Sequence, residues 1–235
     1  MLRRIFLIAL ISATFSAQAI AEISNGVVRV GLLTDMESVY SDLGGPLAVA
    51  AARMAIEDAG GSINGKPIEL LVGDHKNKAE VAHQIATEWL DTLHVDVFAD
   101  VLGTPPALAV QNLARNRNVV VFYNTVVTSE ITNKLCAANS VHWMYDAYSQ
   151  VRVAGTAITR RKADTWYMVS VDNAFGINME NLLGEIVAES GGRVLGATRH
   201  PLGTQEFITY LGKADASGAK VIAINSAGDD LAATI

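Results

Sequence analysis

Short apolar segments alternate along the chain with longer segments in which apolar residues recur at helical spacing. The short segments, predicted as strands, span residues 27–33, 68–73, 95–102, 119–123, 165–171, 193–197 and 220–224. The predicted helices span residues 45–59, 79–93, 105–115, 151–161, 174–190 and 206–216, and a further helix begins at residue 229. Such alternation is typical of an α/β fold in which a parallel sheet carries helices on both faces.

The alternation is interrupted once, by an irregular stretch between residues 124 and 150. Four strands precede this stretch and three follow it, so we predict two α/β units over residues 22–143 and 144–235. The last helix continues for only about two turns. Together with the smaller number of strands, this indicates that the second unit is incomplete.

The first residues have the features of an export signal. A basic start with Arg3 and Arg4 precedes an apolar run at residues 5–15, which is too short to cross a bilayer. Small residues follow, and we predict a signal peptide over residues 1–21 with cleavage after Ala21. Cleavage after Ala19 and a buried N-terminal helix are the alternatives. The predicted location of the mature protein is the periplasm.

Composition narrows the choice of partners. Half of the 235 residues are hydrophobic and 18% are charged, so a sizeable core can be buried. The formal charge of −6 becomes −8 when Arg3 and Arg4 leave with the signal, which argues against nucleic acid as a partner. The single cysteine, Cys136, cannot form an internal disulfide, and we expect it to be a small buried apolar residue.

Common enzyme motifs are missing from the sequence. It contains no GxSxG, no P-loop and no GxGxxG after the first strand. The segment GDHKNKAEVAH holds Asp74, His75, Glu80 and His83, but it lacks the HExxH spacing that brings two histidines to one helix face. We therefore predict no catalytic residues, no metal site and no cofactor.

Polar residues follow the predicted strands, at the edge where open parallel sheets bind ligands. In the segment LGTPP, Thr104 is predicted to cap the helix that begins at Pro105. Its hydroxyl and the free helix N–H groups would suit a carboxylate, and simple capping is the other interpretation. Trp143, Tyr145 and Tyr148 form either a packed hinge or the aromatic wall of a cleft.

Two long segments carry a resemblance to a known family. VVRVGLLTDMESVYSDLGGP and AARMAIEDAGGSINGKPIELLVGDHKN resemble the leucine/isoleucine/valine-binding proteins of branched-chain amino acid ABC transporters. The agreement is clearest in AIED at residues 55–58 and in GGSINGKPI at residues 60–68. The resemblance extends from Val27 to the end of the chain.

This resemblance implies a type I periplasmic binding fold, in which two α/β lobes joined by three crossovers hold a small solute between them. It also implies delivery of the solute to membrane permease subunits, and a binding rather than an enzymatic function. The positions that match the family's ligand contacts are Tyr40, Gly103, Thr104, Thr125, Val126, Val127, Asp146, Phe175, Asn225, Ser226 and Ala227.

One matched position departs from the family. Threonine is usual where Val127 stands, and valine has no oxygen for a solute ammonium group, so Thr125 or Thr128 would have to replace it. The acidic residue that usually completes the ammonium site would lie beyond Ile235. The solute is therefore a branched-chain amino acid or a carboxylate without an amine, such as an aromatic acid. A sensory ligand-binding domain of the same fold and an exported hydrolase are the alternative functions.

Overall fold

Nine strands and seven α-helices alternate over the residues that the computed structural model describes, 26–117 and 119–235. The strands are β1 (Val28–Thr34), β2 (Ser62–Ile63), β3 (Lys66–Asp74), β4 (Val97–Asp100), β5 (Val120–Tyr123), β6 (Ser140–His142), β7 (Thr165–Val171), β8 (Arg193–His200) and β9 (Val221–Asn225). The helices are α1 (Gly45–Asp58), α2 (Ala79–Asp91), α3 (Thr104–Ala114), α4 (Ala147–Arg160), α5 (Ala174–Glu189), α6 (Ile208–Ala216) and α7 (Gly228–Ala232). None of these helices is long and apolar enough to cross a membrane. The predicted signal peptide, residues 1–21, and its cleavage site lie outside the described residues.

The strands form two sheets, which confirms the predicted α/β class. The first sheet has the order β2-β3-β1-β4-β5-β6, and only the short β2 runs antiparallel to its neighbour. The second sheet has the order β8-β7-β9 and is parallel throughout. Parallel strands end at one edge of a sheet, so the polar segments that follow them are brought together there. The predicted division at residues 143 and 144 stays a prediction.

One continuous apolar cluster supports the first sheet. Phe98 on β4 is fully buried and stacks on Trp89 of α2, with ring centroids 6.2 Å apart. Helices α2 and α3 pack side by side and add their apolar stripes to the same cluster. Full burial of one such aromatic ring contributes about 1.5–3 kcal/mol. This core anchors β4 and β5, whose carboxyl ends lead into the candidate site.

Two smaller apolar clusters cover the second sheet, one on each face of β7. Side chains alternate along a strand, so Trp166 and Met168 pack against α4 and α5, whereas Tyr167 and Val169 pack toward α6. The Trp166 indole N–H donates to the Thr159 hydroxyl at 3.1 Å, which satisfies the polar atom of this buried ring.

Several predicted elements need correction. The stretch predicted to be irregular contains β6 and the first turn of α4; β6 has only three residues and no apolar run that could reveal it. Strand β4 ends at Asp100 rather than at residue 102, because Asp100 and Val101 adopt left-handed conformations with φ values of 70° and 49°. Cys136 is exposed, so the prediction that it is buried is wrong; it lies in the surface loop before β6.

Candidate solute-binding cleft

A cleft of about 690 Å³ lies between the two sheets, at the carboxyl ends of their strands. Its polar part is formed by loops that follow β1, β4 and β5 in the first sheet and β7 and β9 in the second. Its apolar part extends along β9, where Val151, Trp166 and Leu183 also belong to the second core. A concave site of this volume is typical of small-molecule binding.

Most of the predicted contact residues come together in this cleft. Those that line it are Tyr40, Gly103, Thr104, Thr125, Val126, Val127, Phe175, Asn225, Ser226 and Ala227. Their contact with a solute stays a prediction. Asp146 does not line the cleft; its carboxylate caps α4 by accepting the backbone N–H of Ser149 at 2.8 Å. An aspartate just before the first helical residue is a common N-cap, which accounts for this residue without a ligand.

The loop between β4 and α3 brings backbone to the wall of the cleft. The N-cap of α3 is Gly103, with φ 86°, and the helix begins at Thr104, so the prediction that the Thr104 side chain caps the helix is wrong. A Cβ at residue 103 would lie 2.5 Å from the Asn77 side-chain oxygen, and this crowding together with the positive φ requires glycine. Pro105 and Pro106 have no N–H, so Thr104 supplies the one N–H of the first three helical positions, together with a buried hydroxyl.

The carbonyl groups after β5 already have partners. The Val126 carbonyl oxygen lies 2.6 Å from Nε2 of His142, and the Val127 carbonyl oxygen accepts the Ala147 N–H at 2.5 Å. Each carbonyl oxygen has two lone pairs, and one of them is already engaged. This loop therefore offers less to a solute ammonium group than the resemblance implies.

Thr125, in the same loop, rests on a buried carboxylate. Its hydroxyl donates to Oδ1 of Asp100 at 2.6 Å, and Asp100 is 3% exposed. Burial raises the pKa of Asp100, and the hydrogen bond from Thr125 opposes this shift. The carboxylate thus lies behind the threonine and does not itself line the cleft.

The two halves touch each other across the cleft. Oδ1 of Asn173 caps α5 by accepting the Phe175 N–H at 2.9 Å, while its amide group donates to the Tyr40 hydroxyl at 3.4 Å. At a second point, the Val39 carbonyl accepts the Asp229 N–H at 3.2 Å. Burial raises the pKa of Tyr40, so its phenol keeps its proton. These contacts define an arrangement in which the halves are closed on each other.

The second wall contains an interaction that the sequence did not reveal. Ser226 follows β9, and its hydroxyl lies 2.7 Å from Nε2 of His200, which is fully buried at the end of β8. The other ring nitrogen, Nδ1, lies 3.0 Å from the Pro201 carbonyl oxygen. Next to Ser226, the Asn225 amide donates to the Ser170 hydroxyl at 3.0 Å. No motif links residues 200 and 226, and only the pairing of β8 and β9 with β7 brings them together.

Within the described ranges, no charged side chain lines the cleft, and no group of three or more His, Cys, Asp or Glu residues could hold a metal ion. Sequence reasoning missed several lining residues, namely Leu43, Leu102, Met144, Gln150 and Met179. The aromatic cluster after β6 was the one usable signal: Tyr145 lines the cleft, whereas Trp143 is 71% exposed and does not.

Comparisons with known proteins define the class. The model of the family described as "Periplasmic binding protein" matches residues 27–235, and the chain belongs to this family. A comparison with curated proteins returns no match.

Solved structures agree with this family. A periplasmic binding protein from Burkholderia mallei is 33% identical with a TM-score of 0.85, over 88% of this chain and 55% of that one. The periplasmic ligand-binding protein of a branched-chain amino acid ABC transporter from Burkholderia xenovorans LB400 is 35% identical with a TM-score of 0.71, over the same shares. A solute-binding protein from R. palustris in complex with 4-hydroxybenzoate shares the fold at 24% identity and a TM-score of 0.77, over 88% and 56%. The chain thus spans little more than half the length of these proteins.

Proposed function

We propose that this protein is the solute-binding component of an ABC transporter. It works in the periplasm, traps a small carboxylate between its two sheets and delivers it to permease subunits in the membrane. The observation that carries this proposal is a cleft without charged side chains among its described lining residues. Loops at the strand ends of both sheets line this cleft, and the two walls touch where Asn173 meets Tyr40. A solute that contacts both walls favours the closed arrangement over an open one.

The start of α3 is the proposed seat of the solute carboxylate. Thr104 offers a hydroxyl and a backbone N–H at the positive end of the helix dipole. The Tyr40 phenol, which keeps its proton, is a second donor in the cleft. The cleft has no lysine or arginine among its described lining residues, so hydrogen bonds from these neutral donors stabilise the carboxylate.

The rest of the solute is either the side chain of a branched-chain amino acid or an aromatic ring. The relative from B. xenovorans supports the first, because its name assigns it to branched-chain amino acid transport. The aromatic side chains of Tyr40, Tyr145 and Phe175 around the cleft support the second. Val127 and the occupied carbonyl groups beside it also favour a solute without an amine.

A thermal-shift screen tests this proposal on the complete protein, including any sequence that follows Ile235. The panel pairs leucine, isoleucine, valine and phenylalanine with benzoate, 4-hydroxybenzoate and cinnamate. A ligand that binds only the folded state raises the Tm. We expect a shift with at least one solute, lost in Thr104→Val and kept in Thr87→Val, which removes a hydroxyl bonded within α2. No shift across the panel would overturn the proposal.

A further inference from the structure

The loop between β1 and α1 is one part of the first half that touches the second half. In this loop, the Val39 carbonyl accepts the Asp229 N–H at 3.2 Å. The next residue, Tyr40, accepts the Asn173 amide N–H on its hydroxyl at 3.4 Å. The position of residues 39 and 40 therefore determines whether these contacts between the halves can form.

The fit between the two halves at this point is close. A Cβ at Gly228 would lie 2.1 Å from the Val39 carbonyl oxygen and 3.2 Å from Cδ1 of Tyr40. A Cβ at Gly203 would lie 3.7 Å from the Val39 side chain, which is ordinary contact distance. A displacement of residues 39 and 40 by about 1 Å would therefore break the two hydrogen bonds or cause steric overlap with the second half.

A buried carboxylate fixes this segment. Asp35, the first residue after β1, is fully buried and does not line the cleft. Its Oδ1 accepts the Ser38 N–H at 3.0 Å, and its Oδ2 accepts the Tyr40 N–H at 3.2 Å and the Ser38 hydroxyl at 2.5 Å. A backbone N–H group can only donate, so both oxygens of Asp35 act as acceptors for the loop.

Other side chains fix the two ends of the same loop. Oδ1 of Asp74 accepts the Met36 N–H at 3.2 Å, near the start of the loop. At its end, the Thr34 hydroxyl accepts the Gly45 N–H at 3.1 Å. Between these two anchors, Asp35 supplies the hydrogen bonds that determine where the middle of the loop lies.

We propose that Asp35 is a positioning residue for closure. It holds Val39 and Tyr40 where the second half can dock on them, and it strengthens solute binding without touching the solute. This inference rests on the proposed function, because it concerns a protein that closes on a solute. A solute that contacts both walls binds the closed arrangement, so a variant in which this arrangement is less populated has a higher apparent Kd.

Titration calorimetry on the complete protein tests the proposal. The probe is whichever of leucine, isoleucine, valine, phenylalanine, benzoate, 4-hydroxybenzoate and cinnamate raises the Tm most. Asp35→Asn replaces one carboxylate oxygen by an NH₂ group, which cannot accept the donors that face it, so a buried N–H group loses its partner or the loop moves. We expect the Kd to rise at least fivefold.

The matched control is Asp96→Asn. The Asp96 carboxylate also accepts a backbone N–H, that of Arg29 at 2.8 Å, but it lies just before β4, at the edge of the sheet opposite the cleft. This variant should lose stability and keep the wild-type Kd. An equal rise in Kd in both variants would overturn the proposal, because the effect would then not depend on the loop that meets the second half.

A double-mutant cycle distinguishes positioning from a general structural role. Tyr40→Phe removes the hydroxyl that meets Asn173, so a loop displaced by Asp35→Asn has less to lose in this background. We expect the factor by which Asp35→Asn raises the Kd to fall at least twofold in Tyr40→Phe. Equal factors in the two backgrounds would show that the residues act independently and would overturn the proposal.

Ser38→Ala keeps the proposal testable if Asp35→Asn does not fold. This variant removes one donor to Oδ2 and leaves both backbone hydrogen bonds, so we expect a smaller rise in Kd, about twofold. If the wild type binds its probe and the folded variants of Asp35 and Ser38 bind it equally well, the positioning role is wrong and the transport function stands. If no solute of the panel binds the wild type, both proposals fall.

Discussion

The two halves of the molecule wall the same cleft but differ in how their sheets are covered. The first sheet is backed by one continuous cluster that includes Trp89 and Phe98. The second sheet has two smaller clusters on the faces of β7, and its outer strands leave Leu195 and Ile222 each 41% exposed. The first wall is therefore held in place by the apolar core of its own sheet. The second wall has less core behind it and depends more on contacts with other parts of the protein.

The difference also appears in the backbone of the two walls. In the first half, Asp100 and Val101 hold left-handed conformations, which are costly for residues with a Cβ and persist where packing holds them. In the second half, the corresponding element is the glycine turn at Gly228, whose φ is 58°. In the second wall, Gly228 lies so close to the Val39 carbonyl of the other half that a Cβ at residue 228 would be 2.1 Å from its oxygen.

The largest expected effect compares the same substitution in the two halves. Phe98→Ala removes a fully buried ring from the continuous core and should lower the free energy of unfolding by about 3–5 kcal/mol. Phe207→Ala, in the second half, should cost less, because Phe207 is buried outside the three apolar clusters and packs on the polar ring of His200. Denaturant unfolding of both variants measures this. A greater loss for Phe207→Ala would contradict the comparison of the cores.

The second prediction concerns His75, which is fully buried in the first half. Burial lowers its pKa from 6.5 to about 4. The unfolded chain therefore takes up a proton near pH 6.5 and the folded chain only near pH 4, so stability falls as the pH decreases through this window. The loss attributable to His75 is about 3 kcal/mol when the window is crossed. Unfolding free energies at several pH values should show a shallower dependence in His75→Gln; an unchanged slope would refute this role.

The third prediction concerns closure of the halves. A Cβ at Gly228 would lie 2.1 Å from the Val39 carbonyl oxygen in the other half, so Gly228→Ala should hinder closure and weaken solute binding at least tenfold. Gly218→Ala is the matched control: its φ is 67° and its Cβ would meet nothing within 4 Å. Both variants should lose about 1 kcal/mol of stability from the left-handed conformation. Titration calorimetry separates them, and equal affinities would show that the contact with Val39 does not limit closure.

The smallest expected effect is a difference in solute affinity between variants of two helix N-caps. Asn173→Ala and Asp146→Ala each remove an N-cap, worth about 1 kcal/mol of stability. Asn173 also reaches the Tyr40 hydroxyl in the other half, and Asp146 does not line the cleft. Solute affinity should therefore fall a few-fold in Asn173→Ala only. A comparable loss in Asp146→Ala would restore this residue to the binding site.

The parts of the fold that could be predicted are those with a long periodic signal. The apolar runs of β1, β5 and β7 and the spacing within α2 and α5 identified the elements, and their polar ends located the cleft. Strand β6 has only three residues, too few to show a periodic pattern of apolar side chains. The left-handed conformations of Asp100 and Val101, at the end of β4, cannot be predicted from hydrophobicity. The capping of α3 was misassigned because threonine is a common N-cap, whereas crowding by Asn77 requires glycine there.

Sequence alone could predict only those site residues that lie in loops directly after a strand. Residues directly after a strand, such as Thr125 and Ser226, reach the cleft because parallel strands end at one edge. His200 could not be identified, since its contact with Ser226 depends on the register of two strands that are separated by a helix. The contact of Nδ1 with the Pro201 carbonyl oxygen likewise exists only in the folded backbone.

The central claim is that the two halves close on a solute. Small-angle X-ray scattering of the complete protein, with and without a saturating solute from the thermal-shift panel, tests it most directly. We expect the radius of gyration to fall on binding, because the solute stabilises the arrangement in which Tyr40 meets Asn173. A solute that binds tightly while the radius of gyration stays the same would contradict the account.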